Sequence, residues 1–123
     1  MTIIEAINKI DSLKPNSYTQ SDKIRWLSDL DGKIKIEIID THEGGENVVF
    51  NGYDANTLLE TNLIAPAPYD DVYIKWLESQ IDYTNGEYQK YNNSATAYNT
   101  AYLAFERYYN RRNKPKSAKL KFF

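Results

Sequence analysis

Cysteine is absent from this 123-residue chain, which excludes disulfides, thiolate catalysis and cysteine-held metal. Histidine occurs once, at His42, so zinc and non-haem iron lack their usual ligands. No N-terminal segment combines a basic start with an apolar run of signal-peptide length, and no stretch approaches the roughly 20 apolar residues of a membrane span. The expectation is a protein made in the cytosol. Internal repeats and low-complexity tracts are also missing. The composition, 41% hydrophobic and 26% charged, is that of one ordinary soluble domain able to bury a modest core.

Tyrosine is what the chain has in excess. Nine of its eleven tyrosines fall between residues 69 and 112: Tyr69, Tyr73, Tyr83, Tyr88, Tyr91, Tyr98, Tyr102, Tyr108 and Tyr109, with Trp76 and Phe105 in the same rows. A tyrosine has an apolar body and a polar tip, so it suits surfaces that are buried but not dry. A small domain needs few of them for its own core, and the excess points to subunit contacts. A carbohydrate platform is the weaker alternative. Charge is segregated as well. Residues 1–106 hold 8 basic and 17 acidic side chains, a net −9, whereas residues 107–123 hold 7 basic and none acidic, a net +7. A cationic end on an acidic body suits either nucleic-acid binding or docking on an acidic partner, including an identical neighbour.

The apolar spacing predicts an all-α protein, a small bundle of about four helices. Thr2 and Glu5 have capping-box spacing, and Ile3, Ile4, Ile7 and Ile10 give the first helix (2–13) its face before Pro15 stops it. A second helix is expected from about Ser21 to Thr41 on Ile24, Leu27, Leu30, Ile34 and Ile38. Against it stand Gly32 and the strand-like alternation of residues 33–38. Residues 42–68 read as a long irregular insertion or a β-hairpin, with candidate strands at Val48–Tyr53 and Leu58–Ile64. Pro68 suits the first position of a third helix, with Asp70 and Asp71 in its first turn. A break is expected at Asn92-Asn93-Ser94, with Asn93 or Ser94 capping a fourth helix that carries Tyr98, Tyr102, Phe105 and Tyr109. The alternative is one unbroken helix over 69–112. Pro115 stops the last helix, which divides the chain into a helical domain (1–112) and an extended arm (113–123).

Catalytic signatures fail on inspection. His42, beside Glu43 in a Gly-rich loop, reads as a solvated loop residue. Asp29, Asp31 and Gly32 imitate a calcium loop, but the register puts Leu27 at the first ligand position and Ile38 at the twelfth. Gly44-Gly45 is followed by no lysine and hydroxyl at phosphate-loop spacing. The acid pairs Asp70–Asp71 and Asp40–Glu43 sit at helix ends, where dipole and capping effects explain them. No catalytic residue, metal or cofactor is expected. The residues singled out for partner contacts are Tyr98, Tyr102, Tyr109, Arg111, Arg112, Lys114, Lys116, Lys119, Lys121, Phe122 and Phe123. The last group interleaves basic and aromatic residues, which suits a docking arm or single-stranded nucleic acid.

One family resemblance spans most of the chain. Its residues are Lys23-Ile-Arg-Trp-Leu-Ser-Asp-Leu-Asp-Gly, Pro66-Ala-Pro-Tyr-Asp-Asp-Val-Tyr-Ile-Lys-Trp-Leu, Gln80-Ile-Asp-Tyr-Thr-Asn-Gly-Glu-Tyr, Tyr91-Asn-Asn, Tyr98-Asn-Thr-Ala-Tyr and Tyr108-Tyr-Asn-Arg-Arg. With these the chain resembles the head–tail connector (adaptor, or head-completion) proteins of tailed bacteriophages and prophages of Gram-positive bacteria. The resemblance implies a mostly helical virion protein, assembled in the host cytoplasm and free of enzymatic activity. It also implies a homo-oligomeric ring in the neck, commonly of about twelve copies joined head to tail. Such a ring lies beneath the portal protein, offers a platform to the tail, stopper or neck protein, and lets DNA pass without specific binding. No membrane is involved.

Overall fold

The computed structural model describes residues 1–116. Four helices carry the fold: α1 (Ile3–Leu13), α2 (Gln20–Glu37), α3 (Asp71–Thr84) and α4 (Tyr88–Arg112). The described residues contain no strand; two isolated bridges, Thr2 with Asn62 and His42 with Pro115, are the only β-type pairings among them. The chain is therefore the all-α bundle its apolar spacing predicts, with an irregular insertion in place of a hairpin.

Helix starts follow local chemistry. Thr2 and Glu5 form the expected reciprocal capping box, which satisfies two otherwise orphaned N–H donors. The same device, Thr19 with Asp22, starts α2 at Gln20, one residue before the expected Ser21. Residues 33–37 are helical, and burial shows why: Ile34 and Ile38 are fully enclosed while Ile36 is 69% exposed. A strand would place all three on one face. Pro68 is not in α3. It lies in the preceding turn, closed by the Tyr69 N–H donating to the Pro66 carbonyl (2.8 Å), and α3 begins only at Asp71. The largest correction concerns the α3–α4 break. It falls at Asn85–Glu87, not at Asn92–Ser94, because Gly86 adopts φ +76°, a left-handed conformation that glycine takes at no steric cost. Asn92, Asn93 and Ser94 lie inside α4, where the Ser94 hydroxyl donates to the buried Asp82 carboxylate (2.8 Å).

Helix α3 is central: α1, α2 and α4 all pack on it, α4 most extensively. Its Val72, Tyr73, Leu77 and Ile81 are fully buried against Ile3 and Ile10 of α1, Leu27, Leu30 and Ile34 of α2 and Phe105 of α4, within a single core. The insertion (42–68) is tied down by named contacts. Ile3 and Ile4 N–H groups, at the open end of α1, donate to Thr61 and Leu59 carbonyls (3.0 Å each). Asp31 of α2 is fully buried and accepts three bonds: from Tyr53 Oη (2.5 Å), Tyr73 Oη (2.6 Å) and the Ile64 N–H (3.1 Å). One carboxylate thus joins α2, α3 and both halves of the insertion.

Candidate interaction surface

The tyrosine rows separate into three groups once α4 is placed. Helical spacing turns Tyr98, Tyr102 and Phe105 inward, and all three are buried. Tyr98 packs against Trp76 (5.0 Å between centroids). Tyr102 Oη donates to Glu37 (2.8 Å), and Lys33 lies over both rings. Desolvation, followed by the nearby Glu37 charge, pushes both phenols up from their ordinary value. These two expected contact residues therefore hold α2 to α4 within the chain. A second group is half-buried at the far end of α4. Tyr108 stacks on Tyr69 (4.5 Å), Arg112 sits 5.6 Å from the Tyr108 centroid, and Arg111 donates to Tyr69 Oη (3.4 Å). The third group is exposed at the α3–α4 turn. Tyr83 and Tyr88 are 57% and 62% accessible and meet edge to face at 6.0 Å.

His42 corrects its sequence reading. It is 2% exposed, with Nδ1 2.5 Å from the Ile38 carbonyl and Nε2 2.7 Å from Asn110 Oδ1, and its ring meets Tyr109 at 4.8 Å. The imidazole pins the start of the insertion to α4. The residues after α4 join the same knot: the Glu43 N–H donates to the Lys114 carbonyl (2.8 Å), and Pro115 bridges to His42. The first part of the expected arm thus lies on its own chain, with Arg111, Arg112 and Lys114 exposed. Lys119, Lys121, Phe122 and Phe123 lie outside the described residues.

Two cavities among the described residues bear on this surface. One, of about 420 Å³ beside Lys14, Glu78, Asp82 and Ser94, is spoken for electrostatically: Lys14 pairs with the buried Asp82, and Ser94 donates to it. The other, of about 290 Å³, is walled by Ile39, Val48, Ile64, Phe105, Tyr108 and Tyr109, with Arg112 at its rim. Ligand pockets generally run from about 300 to 1,000 Å³, so this groove fits one or two side chains better than a cofactor. Among the described residues no three His, Asp or Glu side chains gather as a metal site, and no described helix is long and apolar enough to cross a membrane.

No protein-family model, curated protein or solved structure matches this chain. The surface must be read from its own geometry. That geometry brings Tyr109, Arg111, Arg112 and Lys114 to one end of α4 and leaves Tyr98 and Tyr102 inside. Sequence reasoning put Val48 and Ile64 in candidate strands and not in a groove; both belong to the irregular insertion and line the groove. It counted Tyr83 and Tyr88 in the tyrosine excess attributed to subunit contacts but did not single them out among the partner-binding residues. The signal for that pair was present: Asn85-Gly86 between them is a turn dipeptide, and a turn lifts its flanking side chains out of the packed face.

Proposed function

We propose that this chain is a structural virion protein, a head–tail adaptor that assembles as a ring between the portal protein and the tail or stopper and has no enzymatic activity. The observation that carries the reading is the polarity of α4. The α3–α4 turn at its start presents two exposed tyrosines, Tyr83 and Tyr88, and its far end a basic groove lined with aromatic rings; two unlike patches on opposite ends are what a closing ring requires. The family resemblance supplies the assembly, and the acidic body supplies a surface along which DNA slides without sticking. The arm (113–123) is assigned to a neighbouring subunit or the portal protein, with the exposed Lys114 side chain available to it while the Lys114 carbonyl and Pro115 stay on Glu43 and His42 of their own chain.

The test is complementation. A phage or prophage lacking this gene is supplied with the full chain or with a chain ending at Asn113. The expected result is that the full chain restores particles and is found in purified virions, while the truncated chain folds but leaves heads and tails unjoined. Normal joining by the truncated chain removes the arm from the mechanism, and absence of the full chain from virions removes the adaptor reading. The exposed cluster of Arg111, Arg112 and Lys114 favours one second reading, an accessory protein that binds nucleic acid. Tight DNA binding with a steep salt dependence would establish that reading instead.

A further inference from the structure

The α3–α4 turn and the far end of α4 carry unlike surfaces. Twenty-one residues separate Tyr88 from Tyr109, about 30 Å at the helical rise, so one molecule cannot bring its own turn to its own groove. At the turn, Tyr83 and Tyr88 are exposed, and Glu78, Asp82 and Glu87 are mostly balanced by Lys14 and Lys90, so the turn opposes the cationic groove only weakly in charge and mainly through its exposed rings. At the groove, Phe105, Tyr108 and Tyr109 supply apolar wall, and residues 107–116 carry five cations and no acid. Exposed tyrosines facing an aromatic groove rimmed by arginine are the side-chain types in which interface binding energy concentrates.

We infer that copies of this chain join head to tail, the exposed Tyr83–Tyr88 pair of one copy seating in the Phe105–Tyr108–Tyr109 groove of the next. The contact is heterologous, since each copy keeps one patch free, so it propagates or closes into a ring and does not stop at a dimer. It deepens the adaptor reading by naming the subunit joint. Each tyrosine buries about 150–250 Å², far below the roughly 1,200 Å² of a stable interface. The joint is therefore weak in dilute solution and needs a covalent trap to be seen.

The cysteine-free sequence makes that trap clean. Gln89→Cys places a thiol beside Tyr88, and Val49→Cys places one beside the groove wall; neither removes a contact residue. The two single variants are mixed at high protein concentration under mild oxidation, with Leu103→Cys, exposed midway along α4, as the control partner for Gln89→Cys. The expected result is a Gln89→Cys/Val49→Cys heterodimer at least tenfold more abundant than the control pair or either homodimer. Adding Tyr83→Ala and Tyr88→Ala to the Gln89→Cys chain should remove the excess, and Arg112→Glu in the Val49→Cys chain should reduce it. A heterodimer no more abundant than the control, or one that survives loss of both tyrosines, overturns the contact. Virion incorporation is scored separately. Cross-linking without incorporation sinks the adaptor reading and leaves the contact standing; incorporation without the cross-link does the reverse.

Discussion

At the residue scale the fold depends on buried polar side chains that hold the insertion against the helices. Asp31 is the clearest. Burial raises its carboxyl above the ordinary range, against the opposing pull of Tyr53, Tyr73 and the Ile64 N–H. The folded state therefore holds this proton more tightly than the unfolded chain. That contribution to stability is complete below about pH 4 and fades as pH rises through the raised folded value. Urea titrations from pH 4 upward should accordingly show wild type losing stability relative to Asp31→Asn; a difference that instead grows in favour of wild type with pH would mean that the three donors outweigh burial. Asp31→Leu is a harsher change. It leaves two phenols and an amide unpaired, and should cost at least about 3 kcal/mol. Gly45 is constrained differently: a Cβ there would lie 2.3 Å from the Ile39 carbonyl oxygen. Gly45→Ala must push apart the two turns that carry His42, at a cost of about 1–3 kcal/mol, readable as a lowered urea midpoint. His42 itself combines a full burial with two hydrogen bonds, and His42→Ala should cost about 2–3 kcal/mol while loosening Lys114 and Pro115, seen as faster amide exchange at Glu43.

At the element scale two glycines with opposite roles make separable predictions. Gly32 sits inside α2 with an ordinary helical backbone, and a Cβ there would touch Phe50 at 3.7 Å, a normal contact. Gly32→Ala should therefore stabilise by about 0.5–1 kcal/mol, measured as a rise in melting temperature. Gly86 holds φ +76° with open space around its missing Cβ. Gly86→Ala should destabilise by about 1 kcal/mol through backbone strain alone, without perturbing the core. If it stabilised instead, α3 and α4 would be free to fuse into the unbroken helix that the 69–112 spacing also permits. The helices themselves were legible in the sequence because each carries several apolar residues at three-to-four spacing. Their junctions were not. Asn92-Asn93-Ser94 has the composition of a cap, yet Ser94 is drawn inward by Asp82, a partner twelve positions away. Residues 33–38 alternate as a strand does, yet the requirement to bury Ile34 and Ile38 together decides for helix.

At the scale of the whole molecule, α4 separates charge and aromatic exposure along a single axis. Helix, basic tail and tyrosine rows are all properties of the chain's order, and the sequence by itself determined them: periodicity fixes which segments coil, and the clustering of seven cations after residue 106 needs no fold to exist. The tertiary structure alone decided which tyrosines remain available. Tyr98 and Tyr102 share spacing and residue type with Tyr88 and Tyr109, but α2 and α3 cover the first two and leave the ends of α4 open. The groove is likewise invisible in one dimension, because its walls come from residues 39–66 and 105–113 and meet only when His42 and Asp31 draw the insertion onto the bundle. Local spacing depends on neighbours a few residues apart, whereas burial depends on long-range packing, and the surface on offer here is whatever that packing left uncovered.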